Sequence, residues 1–148
     1  MNGWALLASA GWFGTDFLRR ALTGAYGWGG AGPHSHTAAF LFTDSQGQPL
    51  SGAHRYTMTF RTDDLPPVRN HWELPIYDVD GYFAANQIDR YSINSYMLDR
   101  GDLHVGNGEI VIRIQADRPA GEHQQQNWLP APRAGFRFTA RFYGPNAP

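Results

Sequence analysis

Polar and apolar positions repeat with two different periods along this chain, and the change falls near residue 30. Before it, Phe17, Leu18, Ala21, Leu22 and Ala25 recur at i, i+1, i+4, i+5 and i+8, with Arg19, Arg20 and Thr23 opposite. That spacing predicts a helix over 16–26 with one apolar face. Thr15 is placed to cap it, Asp16 suits a first turn, and Gly27, Gly29 and Gly30 end it. Gly24 weakens its interior. Residues 1–14, with Trp4 and Trp12, read as an apolar lead-in that packs on something.

From Ala31 the period is 2. Residues 37–43 predict a strand, closed by the turn-rich 44–49. Tyr56, Met58 and Phe60 alternate with Arg55, Thr57, Thr59 and Arg61; Trp72, Leu74 and Ile76 alternate with His71, Glu73, Pro75 and Tyr77. Pro75 has no N–H to give a ladder, which predicts an edge strand or a bulge there. After a turn at 78–81, the next clear strand is 109–115, with Ile110, Ile112 and Ile114 inward and Gly106-Asn107-Gly108 as the turn before it. Residues 117–126 read as a polar loop. Phe136, Phe138, Ala140 and Phe142 then alternate with Arg137, Thr139, Arg141 and Tyr143. Short alternating strands without βαβ spacing predict a mainly β fold: an antiparallel, jelly-roll-like β-sandwich with one N-terminal helix. The expected organisation is one domain over 1–148, with 1–30 a helical lead-in and 31–145 the strands.

Composition narrows the chemistry. The 148 residues are 42% hydrophobic and 14% aromatic, enough for a core, and a formal net charge of −1 gives no reason to expect nucleic acid as a partner. There is no cysteine, which excludes disulfides and thiolate sites. There is no lysine either, since all 12 basic residues are arginine, so Schiff-base and P-loop lysine chemistry are excluded. No apolar run approaches the ~20 residues that span a bilayer. Residues 5–10 faintly mimic a signal peptide but lack a positive leader, so the expected location is the cytoplasm, with the periplasm as the alternative.

Four constellations carry possible chemistry. His34-Ser35-His36, placed on a strand, projects both imidazoles to one face, a metal-ligand pattern, but no carboxylate follows in 37–43; these two are the metal candidates, with His54, His71, His104 or Glu73 as residues to complete a site, and no cofactor is expected. His71 and Glu73 flank Trp72 on the polar face, where Arg55, Arg61, Arg113, Arg137 and Arg141 stand on comparable faces of other strands; they are the catalytic candidates. The competing reading is a solvated face of ion pairs worth little each. Asn86, Arg90 and Tyr91, with Asp89, form a possible ligand clamp, against a loop network in which Arg90 ties down carbonyls. Trp128, in a segment stiffened by Pro130 and Pro132, is either a stacking platform or a plug for the sandwich end. No serine sits in a G-x-S-x-G elbow, and the paired carboxylates Asp63/Asp64 and Asp78/Asp80 lie in turns.

Taken in order, 11–21, 44–52, 56–60, Leu65-Pro66-Pro67, 72–78, 86–92, 127–132 and 141–145 resemble the bacterial family labelled domain of unknown function 1214. The resemblance implies an antiparallel β-sandwich, commonly the C-terminal partner of a 1254-type domain, and no established reaction. It marks Asn86, Arg90 and Tyr91 as framework. Where the family usually reads Phe-Trp-Ser-Leu-Thr, this chain has His71-Trp72-Glu73-Leu74-Pro75. The function expected is a ligand-binding or interaction domain that takes a small polar ligand and either forms a homo-oligomer or pairs with a separate partner chain. The alternative is an enzyme or enzyme subunit acting on a small polar or carbohydrate-like substrate through Glu73, Arg90 and Tyr91.

Overall fold

The structure, a computed structural model, describes residues 3–6, 11–26 and 30–146. Its elements in chain order are β1 (Ala5–Leu6), α1 (Phe17–Tyr26), β2 (His36–Leu41), β3 (Tyr56–Arg61), β4 (Val68–Asp78), β5 (Ser92–Asn94), α2 (Ser95–Asp99), β6 (Glu109–Gln115), α3 (Glu122–Gln126), β7 (Trp128–Pro130) and β8 (Phe136–Pro145). Among the described residues the strands form two sheets, ordered β1-β2-β8-β4-β5 and β3-β6-β7. The chain is therefore mainly β with few short helices, and none of these helices is long and apolar enough to cross a membrane.

The period-2 reading locates the core. Trp72, Leu74 and Ile76 of β4, with Phe138 and Ala140 of β8, meet Ile110, Ile112 and Ile114 of β6 and Leu129 of β7 in one cluster. Tyr56, Met58 and Phe60 pack on it from β3, and the Phe60 ring stacks on Trp72 at 5.6 Å. The β3–β6 pairing runs without a shift from Tyr56↔Ile114 to Arg61↔Glu109, so each inward residue opposes another. Asn107 and Gly108 both take positive φ (53° and 76°), the two-residue turn that Asn-Gly favours, and it enters β6.

Four features depart from the expectation. First, β4 is not an edge: it lies between β8 and β5. Pro75 is accommodated because the ladder to β8 lapses between Glu73 and Ile76 and β5 ends opposite it, while the bulge falls between Val68 and His71. Second, β6 and β7 are parallel. A parallel pair needs a crossover, and the polar stretch after β6, with α3 inside it, supplies one. Third, α1 is joined in the fold by two further helices, α2 and α3, each of five residues. Fourth, Asp16 rather than Thr15 caps α1, its Oδ1 accepting from Arg19 N at 2.9 Å.

The apolar face of α1 also behaves differently. Phe17, Leu18 and Leu22 are 72%, 71% and 49% exposed, and among the described side chains of α1 the buried one is Thr23. Gly27 and Gly29, expected to end this helix, and residues 7–10 of the signal-like stretch lie outside the described residues.

Candidate functional site

The polar face of the larger sheet is built by register. β2, β8 and β4 lie side by side, and the pairs His36↔Tyr143 and Ala38↔Arg141, with His71↔Tyr143, Glu73↔Arg141 and Tyr77↔Arg137, bring their outward side chains into one band. Arg55, Arg61 and Arg113 do not join it. Arg61 and Arg113 sit on β3 and β6 of the smaller sheet, and Arg55 just precedes β3.

At the centre of the band, Arg141 donates to Glu73 Oε1 at 3.0 Å and to the Tyr77 hydroxyl at 2.6 Å, and the Tyr143 hydroxyl donates to the same Glu73 oxygen at 3.3 Å. Rings flank it on both sides. One row runs His36, Tyr143, His71 and Tyr96, with centroids 4.9, 4.1 and 4.9 Å apart. The other runs Tyr77, Phe83 and Tyr91, at 4.9 and 5.1 Å. Arg137 lies 6.0 Å from the Tyr77 centroid, with its buried Nε unpaired.

The site is sunken rather than awash. Phe40, Pro75 and Thr139 on the same face are buried, and the Glu73 and Arg141 side chains keep only 23% and 34% of their exposure. Burial pushes the Tyr77 and Tyr143 hydroxyls above their ordinary range. Burial, then the Arg141 charge, lowers His36 below the usual histidine value. Burial alone would lower Arg141, but Tyr77 and Glu73 outweigh it and hold the guanidinium charged.

The remaining candidates separate. His34 lies in the turn before β2, because Ser35 and His36 both donate backbone N–H to the Gly32 carbonyl. The strand geometry that would align His34 with His36 therefore does not apply. His34 packs edge-on against Trp12, and His36 joins the ring row. Among the described residues no group of three His, Cys, Asp or Glu is arranged to hold a metal ion.

Asn86 and Arg90 turn inward to the backbone. Asn86 Oδ1 accepts from Ile88 N and Arg90 N, and its amide donates to the Arg90 carbonyl at 3.0 Å. Arg90 Nη1 donates to the carbonyls of Gln126 and Trp128 at 2.8 Å each, closing the C-terminal end of α3. Tyr91 donates to Asp89 at 3.1 Å and ends the second ring row. Trp128 is 1% exposed and its indole donates to the Gln115 carbonyl at 2.8 Å, so it offers no face to a ligand. The structure thus brings His71, Glu73, Tyr91 and His36 to one face and leaves Arg90, Asn86 and Trp128 as framework.

Two pairings went unsignalled. Asn127 opens a family-like run, but only the structure shows that it is buried and pairs with both backbone groups of His104, at 2.8 Å each. His104 and His123 stack with centroids 3.7 Å apart beside a cavity of about 280 Å³ that also meets Glu109 and Arg113. Only the proximity of α3 to β6 shows that pairing.

These features define a class: a two-sheet β domain carrying a half-buried polar and aromatic patch. The chain belongs to the family described as protein of unknown function (DUF1214), whose model matches residues 36–147. The match starts at the head of β2, so α1 stands outside it. The chain is similar to the VPA0106 protein from Vibrio parahaemolyticus, with 30% identity and a TM-score of 0.69 over 86% of this chain, and it spans 31% of that one. A putative uncharacterized protein from Burkholderia cenocepacia aligns over 76% of this chain and 26% of its own, with 12% identity and a TM-score of 0.41. No functionally curated protein matches.

Proposed function

We propose that this chain is a non-catalytic ligand-binding and interaction domain, and that its ligand is a small hydroxyl-rich, carbohydrate-like molecule held on the outward face of β4 and β8. The observation that carries this reading is the network of Glu73, Arg141, Tyr77 and Tyr143 set between two rows of rings. Within each row the rings cover one another's faces, so the rows offer apolar edges and the free faces at their ends, while the fork of Arg137 and the second oxygen of Glu73 give donors and an acceptor for hydroxyls. With this we keep the jelly-roll-like reading of the sandwich, supported by the eight described strands in two sheets. The enzymatic alternative with Glu73, Arg90 and Tyr91 loses support, because Arg90 is spent on backbone carbonyls. The test is titration of labelled protein with glucose and cellobiose, followed by amide chemical shifts. Saturable shifts at residues 71–77 and 137–143, lost in Glu73→Gln, support the reading; silence there up to 50 mM (on the order of the weakest useful affinities) overturns it.

The interaction half of the reading rests on α1. Its exposed Phe17, Leu18 and Leu22, with Trp12 nearby in sequence and 59% exposed, form a stripe that water penalises. In the isolated chain the partner is a second copy, which buries the stripe by self-pairing.

A further inference from the structure

The two sheets are unequal, and the mismatch opens a second site. β3 lies over β4 and β8, as the Phe60–Trp72 and Tyr56–Phe136 ring contacts require. Among the described residues β3 is also the last strand of its sheet, so nothing of that sheet continues over β2. The space left is a cleft of about 670 Å³ between β3 and the end of β2. This volume falls in the range of small-molecule sites.

The cleft has an apolar floor and a polar rim. Leu41, Leu50, Met58, Ile114 and Phe138 line the floor, so it reaches side chains of the core itself. The turn 44–48 folds over one side as a lip. Asp44 is the lip's carboxylate, but its Oδ1 already accepts from Gln46 N and Gln48 N at 2.9 Å each. Across the mouth stand His54 and Arg55, and among the described residues Arg55 makes no ion pair. Asp44 keeps its negative charge on the lip, and the cation that the rim offers to a ligand is Arg55. Met58 also lines a second cavity of about 300 Å³, bounded by Trp4, Ala39, Phe60, Trp72 and Phe142. Methionine is the side chain that yields most readily to a neighbour.

We propose that this cleft binds an amphiphilic monocarboxylate, with the apolar chain on the Leu41–Phe138 floor and the carboxylate against Arg55. Met58 sets the chain length, since a longer chain must displace it to enter the second cavity. The site is on the opposite face of the larger sheet from the Glu73 network, so it stands or falls independently of the reading above.

The experiment is calorimetric titration with a homologous series of saturated monocarboxylates from hexanoate to dodecanoate, each below its micelle concentration, with amide shifts read in parallel. Affinity rises about fourfold per added methylene, the increment of burying one CH₂, until the cleft is full. Arg55→Glu weakens the acids at least tenfold and leaves the matching alcohols unchanged; Met58→Ala moves the best chain length upward. Affinity independent of chain length overturns the proposal. So does an Arg55→Glu protein that binds the acids as well as before, or a shift pattern confined to 17–22, which would mean adsorption on α1.

Discussion

Glu73 and Arg141 stand opposite one another on neighbouring strands, and their side chains close a 3.0 Å ion pair on the outward face of the larger sheet. Arg141 also carries the Tyr77 hydroxyl, so it is the hub and Glu73 a spoke. Removing the hub takes the charged donor from a half-buried carboxylate and a half-buried phenol, and leaves Glu73 the Tyr143 hydroxyl. Arg141→Met is expected to destabilise by about 1–3 kcal/mol and Glu73→Gln by less. A double-mutant cycle in urea should return a coupling of about 1 kcal/mol, reduced from the buried-pair range because both groups remain partly wet. Additive effects would show that the pair is incidental.

Arg90 ties α3 to β7 through their carbonyls rather than holding a ligand. Arg90→Ala is expected to cost about 2–3 kcal/mol in denaturant unfolding, the range for hydrogen bonds from a charged donor. Arg90→Lys should recover only part, because the shorter lysine stem has to bring its ammonium to the point where Nη1 meets both carbonyls. If Arg90→Ala instead unfolds like the native chain, the crossover is held by other contacts.

Gly52 is fixed by space. A side chain there would collide with the Pro132 carbonyl, because Gly52 N bonds the Ala134 carbonyl at 2.9 Å and draws 44–52 against 127–135. Gly52→Ala is expected to lower stability by about 1–3 kcal/mol, the cost of forcing two backbones apart. Gly47 also has positive φ but open space around it, so Gly47→Ala tests conformation alone and should cost only about 1 kcal/mol. Thermal unfolding of the two variants separates the effects.

His36 gives the stability a sign with pH. Its folded value lies below the ordinary 6.5 through burial first and the Arg141 charge second, with Glu73 opposing. As pH falls below 6.5 the unfolded chain takes up a proton that the folded chain refuses. Stability therefore falls from about pH 6.5 downward and levels off beneath the folded value. The melting temperature of His36→Gln should be flatter across that window; an unchanged slope would assign it to other groups.

The exposed stripe of α1 should make association depend on concentration. Light scattering is expected to show a dimer that becomes a monomer in the Phe17→Glu, Leu22→Glu double variant, with no loss of folded signal. A native chain that stays monomeric at about 0.5 mM, where weak interfaces still pair, would remove the second copy as partner.

Sequence alone determined the strands whose side chains obey a strict period: Tyr56–Phe60, Trp72–Ile76, Ile110–Ile114 and Phe136–Phe142 all turn the predicted face inward. Period 2 is a local property of extended backbone, so it survives without knowledge of neighbours. The family motifs were also legible, because Asn86, Gly52 and the Asn127–Pro132 run fix backbone geometry that few residues supply. Tertiary structure alone decided which faces meet. It put Arg141 beside Glu73, kept Arg61 and Arg113 on the smaller sheet and set Arg55 at the rim of the cleft. It spent Arg90 on carbonyls and buried Trp128, and left the apolar face of α1 in water. Strand order and crossover set those distances, and each spans many residues of chain, so no local pattern encodes them.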